Sequence, residues 1–333
     1  MRPRLWSGDE LLAAVLAPGE PEVAGELIVV GAPTSDLDPS RFSAAVERLG
    51  ALPCVVVGAP GWPNAGWSAP GGADDLVDLI AVTDADVDDV GATFERAPLA
   101  AASLALHLRA TDRRSVVDGL VAESALYSAL QAGPEHRAWR EATPARDRGD
   151  QGEARLRVER HGDQLHVTLH RPAARNALDA AMRDELIAAL AIAEADPSLR
   201  VVIGGDGPAF CAGGDLDAFG TTPDPATAHV VRLERSIGAA IHRLADRTTV
   251  RLQGPCAGSG VELAAFAGRV VAHPNTMLAL PELGLGLIPG AGGTVSIPAR
   301  IGRHRTAWLA LTGRSIDADT AQRWGLVDEI ILI

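Results

Sequence analysis

Three glycine-rich segments decide the fold of this chain: GGDGPAFCAGGDL at residues 204–216, QGPCAGSGVELA at 253–264 and LPELGLGLIPGAGGT at 280–294. Each follows an apolar strand-like stretch, the place where a parallel-sheet protein carries its ligand loops. One such segment alone is typical of an ordinary turn, because glycine is common there. In this order and spacing they indicate a site built from several loops.

The residues around these segments alternate between predicted strands and helices. The stretch 155–172 alternates apolar and polar positions, as a half-buried β-hairpin does. Asp179 is the predicted cap of a helix that ends near residue 196. A strand at 201–203, a single helix across 226–246 and a strand at 250–252 are predicted to follow. This order indicates an α/β fold.

The first half shows a weaker version of the same layout. It contains a predicted strand at 27–30, a helix at 39–50, a strand at 54–57 and a helical segment at 98–141. In the last segment, Val117, Leu120, Val121 and Tyr127 are predicted to lie near one packed face.

A polar stretch at 143–153, punctuated by proline and glycine, is the candidate joint between the halves. We therefore predict domains at 1–148 and 153–333.

Composition excludes several classes of protein. The 333 residues are 47% hydrophobic and 22% charged, as in soluble globular proteins, and the net charge of −13 argues against nucleic-acid partners. All 30 basic residues are arginine, which excludes a Schiff-base lysine, a pyridoxal-phosphate anchor and a Walker-type phosphate loop. The sequence contains neither a membrane-length apolar run nor a secretory signal, so we expect a cytoplasmic protein without a membrane partner.

The cysteines point to neither disulfides nor metal. Cys54, Cys211 and Cys256 are odd in number and widely spaced, which disfavours a disulfide scaffold and a cysteine-built zinc site. We predict that Cys211 and Cys256 are small packing residues and that no metal site is present.

Two glutamates lie in apolar surroundings within the glycine-rich segments. Glu262 precedes Leu-Ala-Ala-Phe-Ala and Glu282 lies in Leu-Ala-Leu-Pro-Glu-Leu-Gly-Leu, so each needs partners or a raised pKa. Two interpretations stay open from the residues alone. Both could be acid/base groups. Alternatively, Glu262 could be a first-turn glutamate that the helix dipole stabilises, and Glu282 could form a buried ion pair with an arginine.

The glycine-rich segments, together with HRPAARNALD at 170–179 and LTGRSIDADTAQRWGLVDEI at 311–330, resemble the crotonase superfamily, also called the enoyl-CoA hydratase/isomerase family. The resemblance runs from about residue 155 to 330. It implies a crotonase-like spiral of repeated ββα units, an acyl-CoA thioester as substrate, no separate cofactor, and a homo-oligomer, either a trimer or a hexamer.

The resemblance also implies roles for particular residues. Glu262 and Glu282 match the catalytic pair of hydratases, and the backbone amides of Ala212 and Ser259 match an oxyanion hole that stabilises a thioester enolate. The CoA-binding positions implied in this way are Arg175, Asn176, Ala177, Leu178, Gly213, Gly214, Asp215 and Leu216. Arg171 and Arg175 are the candidates for a phosphate contact.

Retention of both glutamates favours hydration of an enoyl-CoA, or the reverse dehydration. Two alternatives remain: a double-bond isomerase, for which one glutamate suffices, and a non-catalytic acyl-CoA-binding or assembly subunit. Members of the family continue past the GLVDEI segment with helices that cover the CoA site, whereas this sequence ends at Ile333. The helices at 98–141 are similar to that pair, so we hypothesise that the first half is a degenerate crotonase copy whose helices replace it.

Overall fold

Strands and helices alternate through the whole described chain. The computed structural model describes residues 3–19, 22–32, 39–62, 72–111, 114–146, 154–219 and 224–332. Most of the candidate joint, residues 147–153, lies outside these ranges, so the predicted domain boundary stays a prediction.

The first half begins with a parallel sheet. In chain order its elements are β1 (Leu5–Trp6), α1 (Gly8–Leu16), β2 (Leu27–Val30), α2 (Pro39–Leu49), β3 (Val55–Gly58), β4 (Leu79–Ile80) and α3 (Asp84–Arg96). The strand order is β1-β2-β3-β4, with every pair parallel. The predicted strands at 27–30 and 54–57 and the helix at 39–50 are confirmed.

The two faces of this sheet bury different neighbours, because side chains alternate along a strand. Ile28 and Val56 pack with residues of α1 and α2, such as Leu11 and Leu49, in a cluster confined to the first half. Val29 and Val57 face the opposite way and join a cluster that continues through the second half. An antiparallel strand pair is not present among the described strands of the first half. The degenerate-copy interpretation therefore stays a hypothesis.

Three further helices complete the first half: α4 (Pro98–Arg109), α5 (Val116–Gln131) and α6 (Pro134–Ala142). Helical structure at 98–141 is as predicted, but the predicted packed face of α5 is partly wrong. Val117 and Val121 are 68% and 42% exposed, whereas Glu123 and Ser124 are buried. Apolar periodicity failed here because the buried face of α5 carries polar side chains.

The second half builds a spiral of sheets. In chain order its elements are β5 (Leu156–His161), β6 (Gln164–Leu169), α7 (Ala180–Ala195), β7 (Arg200–Gly205), α8 (Pro225–Glu234), α9 (Ile237–Arg243), β8 (Thr248–Leu252), β9 (Pro255–Ala257), α10 (Ser259–Ala264), β10 (Arg269–Ala272), β11 (Met277–Ala279), α11 (Gly293–Ile301), α12 (Arg303–Thr312), β12 (Ile316–Asp317), α13 (Ala318–Trp324) and β13 (Glu329–Ile330).

The spiral contains two sheets. The larger has the order β13-β10-β8-β7-β6-β5, and the smaller has the order β12-β11-β9. β5 and β6 form the predicted antiparallel hairpin, and β6 continues into parallel pairing with β7. Asp179 caps α7 by accepting the N–H of Met182 at 2.8 Å, as predicted.

The prediction of one helix across 226–246 is wrong, because the structure divides it into α8 and α9. Ser236 lies between them, and its hydroxyl accepts the N–H of Ala239 at 3.1 Å. A serine in this role begins a new helix rather than continuing the old one. After this break, α8 packs against α5, and α9 packs against α7.

The two halves share one core and several polar contacts. Arg314, after α12, pairs with Asp86 and Asp89 of α3 at 2.6 and 2.5 Å. α5 packs against both α8 and α11. The first half is thereby brought to the glycine-rich loops of the second. In the ranges given above, no helix has both the length and the apolar content to cross a membrane.

Candidate active site

A cavity of about 560 Å³ lies where α5 meets the glycine-rich loops. Its wall includes Tyr127 of α5 together with Leu178, Gly214, Ser259, Glu262 and Glu282. The structure thus brings both predicted catalytic glutamates and several predicted CoA-binding positions to one space.

Two of the predicted CoA-binding loops run side by side. The Leu178 N–H donates to Gly213 O at 2.8 Å, and the Asp215 N–H donates to Leu178 O at 2.9 Å. Gly213 has a φ of +99°, which lets the chain turn between these bonds. The two loops therefore form a single backbone surface beside the cavity.

Asn176 holds the first of these loops from inside. Its side chain is fully buried, accepts the Arg171 N–H at 2.8 Å and donates to Asp206 O and Ala209 O at 2.9 Å. Its φ of 54° lies in the left-handed region, which asparagine tolerates better than most residues. Its side chain thus braces the loop, and any contact with CoA falls to its neighbours.

The remaining predicted CoA-binding residues differ in what they can offer. Asp215 is buried and accepts Arg171 Nη1 at 2.6 Å, so both side chains are committed to fixing the loop. Arg175 is exposed, and of the two candidates it is the one whose side chain is open to a phosphate. Leu216 is 39% exposed, and Ala177 is partly buried.

Ser259 opens helix α10 at the cavity wall. The residue before it, Gly258, has φ and ψ of 49° and −123°, a conformation open almost only to glycine. A Cβ added at Gly258 would also overlap Oε1 of Glu282. Gly258 therefore allows α10 to begin at Ser259 and leaves space for the Glu282 side chain.

Replacement of Gly258 by Ala is expected to lower the enoyl-CoA activity that the sequence resemblance implies by about 10²-fold, because it displaces Glu282 and the Ser259 amide together. Steady-state kinetics on the purified variant measure the effect. Gly302→Ala is the matched control, since Gly302 also has a positive φ, of 78°, but meets nothing within 4 Å. Equal losses in both variants would mean that backbone strain alone explains the result.

Glu262 lies in the first turn of α10 and reaches the start of α11. Its Oε2 accepts the N–H groups of Ala291 and Gly293 at 2.7 and 2.9 Å. The amides that bind Glu262 belong to the start of α11, whereas Glu262 itself lies in the first turn of α10. Stabilisation by a helix end and a role as an acid or base are therefore compatible. Burial raises the pKa of Glu262 well above its usual value, and the charges of Glu282 and Glu123 add to the rise.

Glu282 has a less satisfied environment. It lies in a short 3₁₀ turn at Glu282–Leu285 and is 8% exposed, and its Oε2 has no hydrogen-bond partner among the described residues. None of the described arginines pairs with it, so the structure gives no support to a buried ion pair. Burial raises its pKa to about 8, with a further contribution from Glu123. Burial of both carboxyls thus favours retention of a proton by the Glu262 and Glu282 pair at neutral pH.

Glu123 of α5 is a third carboxylate in the cavity wall, and it is not among the residues predicted from the sequence. It accepts the N–H groups of Gly292 and Thr294 at 2.7 and 2.9 Å and the Thr294 hydroxyl at 2.6 Å. Its signal in the sequence was a charged residue on the same helical stripe as Leu120 and Tyr127. Burial raises its pKa to about 7, against the lowering by its Thr294 and Gly292 donors.

Successive backbone amides at the start of α11 donate alternately to Glu262 and Glu123. Glu262 takes the amides of residues 291 and 293, and Glu123 takes those of 292 and 294. The first amides of a helix lack acceptors inside it and carry the positive end of its dipole. One helix end thereby stabilises negative charge on two neighbouring carboxylates, one from each half of the chain.

Comparison with known proteins identifies the second half. Residues 160–332 match the sequence model of the family described as enoyl-CoA hydratase/isomerase. The chain is 37% identical over 176 residues to 2,3-dehydroadipyl-CoA hydratase of Escherichia coli (strain K12), covering 53% of this chain and 68% of that enzyme. It is 34% identical over 188 residues to carnitinyl-CoA dehydratase of Citrobacter koseri, covering 53% and 67%.

The chain belongs to the enoyl-CoA hydratase/isomerase family. Among solved structures, enoyl-CoA hydratase from Thermoplasma volcanium GSS1 matches with a TM-score of 0.51 at 33% identity, covering 54% of this chain and 73% of that one. An enoyl-CoA hydratase of Mycobacterium smegmatis matches with a TM-score of 0.50 at 31% identity, covering 54% and 70%. The predicted crotonase-like spiral is confirmed for the second half.

For this family member, one predicted oxyanion donor needs correction. The Ala212 N–H donates to Arg175 O at 2.9 Å, so it is not free to meet a substrate. Gly214 and Ser259 both line the cavity, and their N–H groups have no acceptor among the described residues. The free pair of amides is therefore Gly214 and Ser259.

The cysteines beside the loops of this family member are buried. Burial raises the pKa of Cys211 to about 11, with a smaller opposing effect from the Gly213 backbone, and it also raises that of Cys256. Neutral thiols of this kind pack as small apolar groups. Within the described ranges, no cluster of three or more metal-ligating side chains is arranged to hold a metal ion.

Proposed function

We propose that this chain is an enoyl-CoA hydratase, or the corresponding dehydratase, acting on the 2,3 double bond of an acyl-CoA thioester. The observation that carries the proposal is the contrast between the two cavity glutamates. Glu262 accepts two amide N–H groups, which lower its pKa against the larger rise caused by burial, whereas Glu282 keeps a buried oxygen without a donor. On this difference in hydrogen bonding we assign Glu262 as the base and Glu282 as the acid of the pair.

In the hydration direction, the Glu262 and Glu282 pair holds one proton, carried by Glu282, and Glu262 removes a proton from a water molecule as that oxygen bonds to C3. The π electrons of the double bond move towards the thioester, whose oxygen takes on enolate character. The amides of Gly214 and Ser259 donate to that oxygen, and Glu282 gives its proton to C2. Glu262 then holds the proton that Glu282 has lost, so proton exchange between the pair restores the starting state.

The acyl-CoA is held by the paired loops in this proposal. Leu178, Gly214 and Asp215 of these loops line the cavity, and the exposed Arg175 is the residue that we assign to a phosphate of CoA. Asn176, Asp215 and Arg171 keep the loops in this arrangement through their mutual hydrogen bonds. Carboxylates and amides of the chain carry each chemical step, so the proposal includes no separate cofactor.

The proposal is tested by following the loss of enone absorbance when the purified chain meets 2-enoyl-CoA esters of four to ten carbons. Hydration predicts a steady loss and a 3-hydroxyacyl-CoA product. Migration of the double bond without uptake of water would favour the isomerase. Binding of every ester without any reaction would favour the non-catalytic subunit.

The pH profile follows from the shared proton of the pair. Because burial raises the pKa of Glu282 to about 8, kcat/KM for hydration is expected to fall about tenfold per pH unit above pH 8. kcat/KM for dehydration should fall over the same pH range, because both directions of the reaction require the Glu262 and Glu282 pair to carry one proton. Initial rates from pH 6 to pH 10 measure it, and a profile flat to pH 10 would contradict the role of Glu282 as proton donor.

A further inference from the structure

One arginine in the cavity wall has no carboxylate partner. Arg183, Arg232 and Arg235 all line the cavity. Arg183 and Arg235 lie 3.0 and 3.3 Å from the same Asp184. No carboxylate of a described residue approaches Arg232 within 4.0 Å. A guanidinium that lines a largely apolar cavity without a counter-ion is an unusual and costly arrangement.

The structure holds Arg232 in one orientation. Its Nη1 donates to Ser124 O and Ser124 Oγ at 3.1 Å and to Ser128 Oγ at 2.9 Å. Its Cζ lies 4.5 Å from the centre of the Tyr127 ring. Nε and Nη2 have no acceptor among the described residues. Half of the guanidinium is thus anchored to α5, and the other half keeps its donors for a ligand.

The cavity wall around Arg232 offers its guanidinium few polar partners. Ala228 and Val231 of α8 and Phe219 also line the cavity, so the wall near Arg232 is mostly apolar. Three glutamates with raised pKa values, Glu123, Glu262 and Glu282, contribute to the same cavity, and none of them lies within 4.0 Å of the Arg232 guanidinium. Burial lowers the pKa of Arg232, with opposing contributions from Tyr127 and Glu123, as expected for a cation with weak compensation.

We propose that Arg232 forms an anion subsite in the acyl part of the cavity, which binds a carboxylate at the far end of the acyl chain. The preferred substrates are then enoyl-CoA esters of dicarboxylic acids rather than simple fatty acyl-CoA esters. This inference rests on the proposed acyl-CoA substrate. A planar guanidinium with two free donor positions fits a carboxylate in a bidentate manner.

Binding of saturated acyl-CoA esters tests the subsite without depending on catalysis. Calorimetry compares adipoyl-CoA, which ends in a carboxylate, with hexanoyl-CoA of the same length and with free CoA. Wild type is expected to bind adipoyl-CoA about 10- to 100-fold more tightly than hexanoyl-CoA, the range for a charge-assisted hydrogen-bonded pair. Arg232→Gln should remove this preference and change hexanoyl-CoA affinity less than threefold.

Two further variants control the comparison. Arg232→Lys keeps the charge without the fork and should retain part of the preference. Arg243→Gln alters an exposed arginine paired with Glu194 and should leave all three affinities unchanged.

Equal affinity of wild type for adipoyl-CoA and hexanoyl-CoA would overturn the subsite. Equal weakening of all three ligands by Arg232→Gln would also overturn it, because Arg232 would then serve CoA itself. A clear preference for adipoyl-CoA in a protein that hydrates no enoyl-CoA would instead leave the subsite standing and reject the hydratase.

Discussion

Replacement of Glu282 by Gln is expected to lower kcat for hydration of an enoyl-CoA by about 10²- to 10⁴-fold, the usual contribution of a positioned acid or base. Gln has nearly the same shape as the protonated Glu282, so the cavity keeps its form. It has no proton to give to C2, so the enolate is not resolved into product. Stopped absorbance assays at saturating substrate measure kcat directly.

Stability and binding separate this loss from misfolding. Burial raises the pKa of Glu282 from 4.5 to about 8, so the folded state disfavours its ionised form. The contribution of Glu282 to the free energy of unfolding is therefore fully present below pH 4.5 and is lost as the pH rises to about 8. Glu282→Gln removes that cost and is expected to be at least as stable as wild type at pH 8. Thermal unfolding at pH 6 and pH 8 checks this, and a variant that unfolds earlier at both would void the kinetic comparison.

Glu262→Gln separates the hydratase from the isomerase. Hydration needs Glu262 as the base for water, so both glutamine variants should be inactive. Isomerisation can proceed with one carboxylate. Activity that survives in Glu262→Gln but not in Glu282→Gln would therefore reject hydration.

Replacement of Glu123 by Gln is expected to lower kcat by about 10²-fold, although Glu123 lies in the first half of the chain. The variant places an amide NH₂ against the donors of Gly292 or Thr294, leaving a buried N–H without an acceptor. We expect the start of α11 to shift and to move Glu262 with it. The free energy of unfolding should fall by about 1–3 kcal/mol.

A pH profile distinguishes this positioning role from simple loss of stability. The charge of Glu123 raises the pKa values of Glu262 and Glu282, so its removal should move the alkaline limb of kcat/KM to lower pH. Glu135→Gln is the matched control: Glu135 also accepts two helix amides, those of Leu99 and Ala100 at 2.6 and 3.0 Å. An unshifted limb in Glu123→Gln would show that Glu123 only supports the fold.

Much of the second half could be predicted from its sequence because its signals are local. The hairpin alternation at 155–172, the Asp179 cap and the glycine spacing each depend on near neighbours in the chain. Glu262, Glu282 and Ser259, which the family resemblance singled out, line one cavity in the structure, and their chemical roles stay predictions. These signals survive folding because no tertiary contact opposes them.

The errors arose where partners come from far along the chain. The Ala212 amide resembles a free donor until the loop at 170–179 folds beside it and supplies Arg175 O. The donors to Glu123 lie 169 and 171 residues away, at Gly292 and Thr294. A local sequence pattern does not predict hydrogen bonds between residues so far apart in the chain. Val117 and Val121 looked like packing residues only because the true packed face is polar.

The role of the first half can now be stated in physical terms. Its helix α5 supplies one wall of the cavity, one carboxylate for the start of α11 and both serines that orient Arg232. That helices at 98–141 take the place of covering helices stays a hypothesis, and truncation of the first half tests it. The trimer or hexamer expected from the family stays a prediction, as does the cytoplasmic location.

The most direct test is incorporation of oxygen from H₂¹⁸O by the purified chain acting on crotonyl-CoA and on a six-carbon 2-enoyl-CoA with a terminal carboxylate. We expect ¹⁸O in a hydroxyl group at C3 of the product, with the carboxylated ester consumed faster. An isomerised product without ¹⁸O, or recovery of both esters unchanged, would contradict hydration by the Glu262 and Glu282 pair.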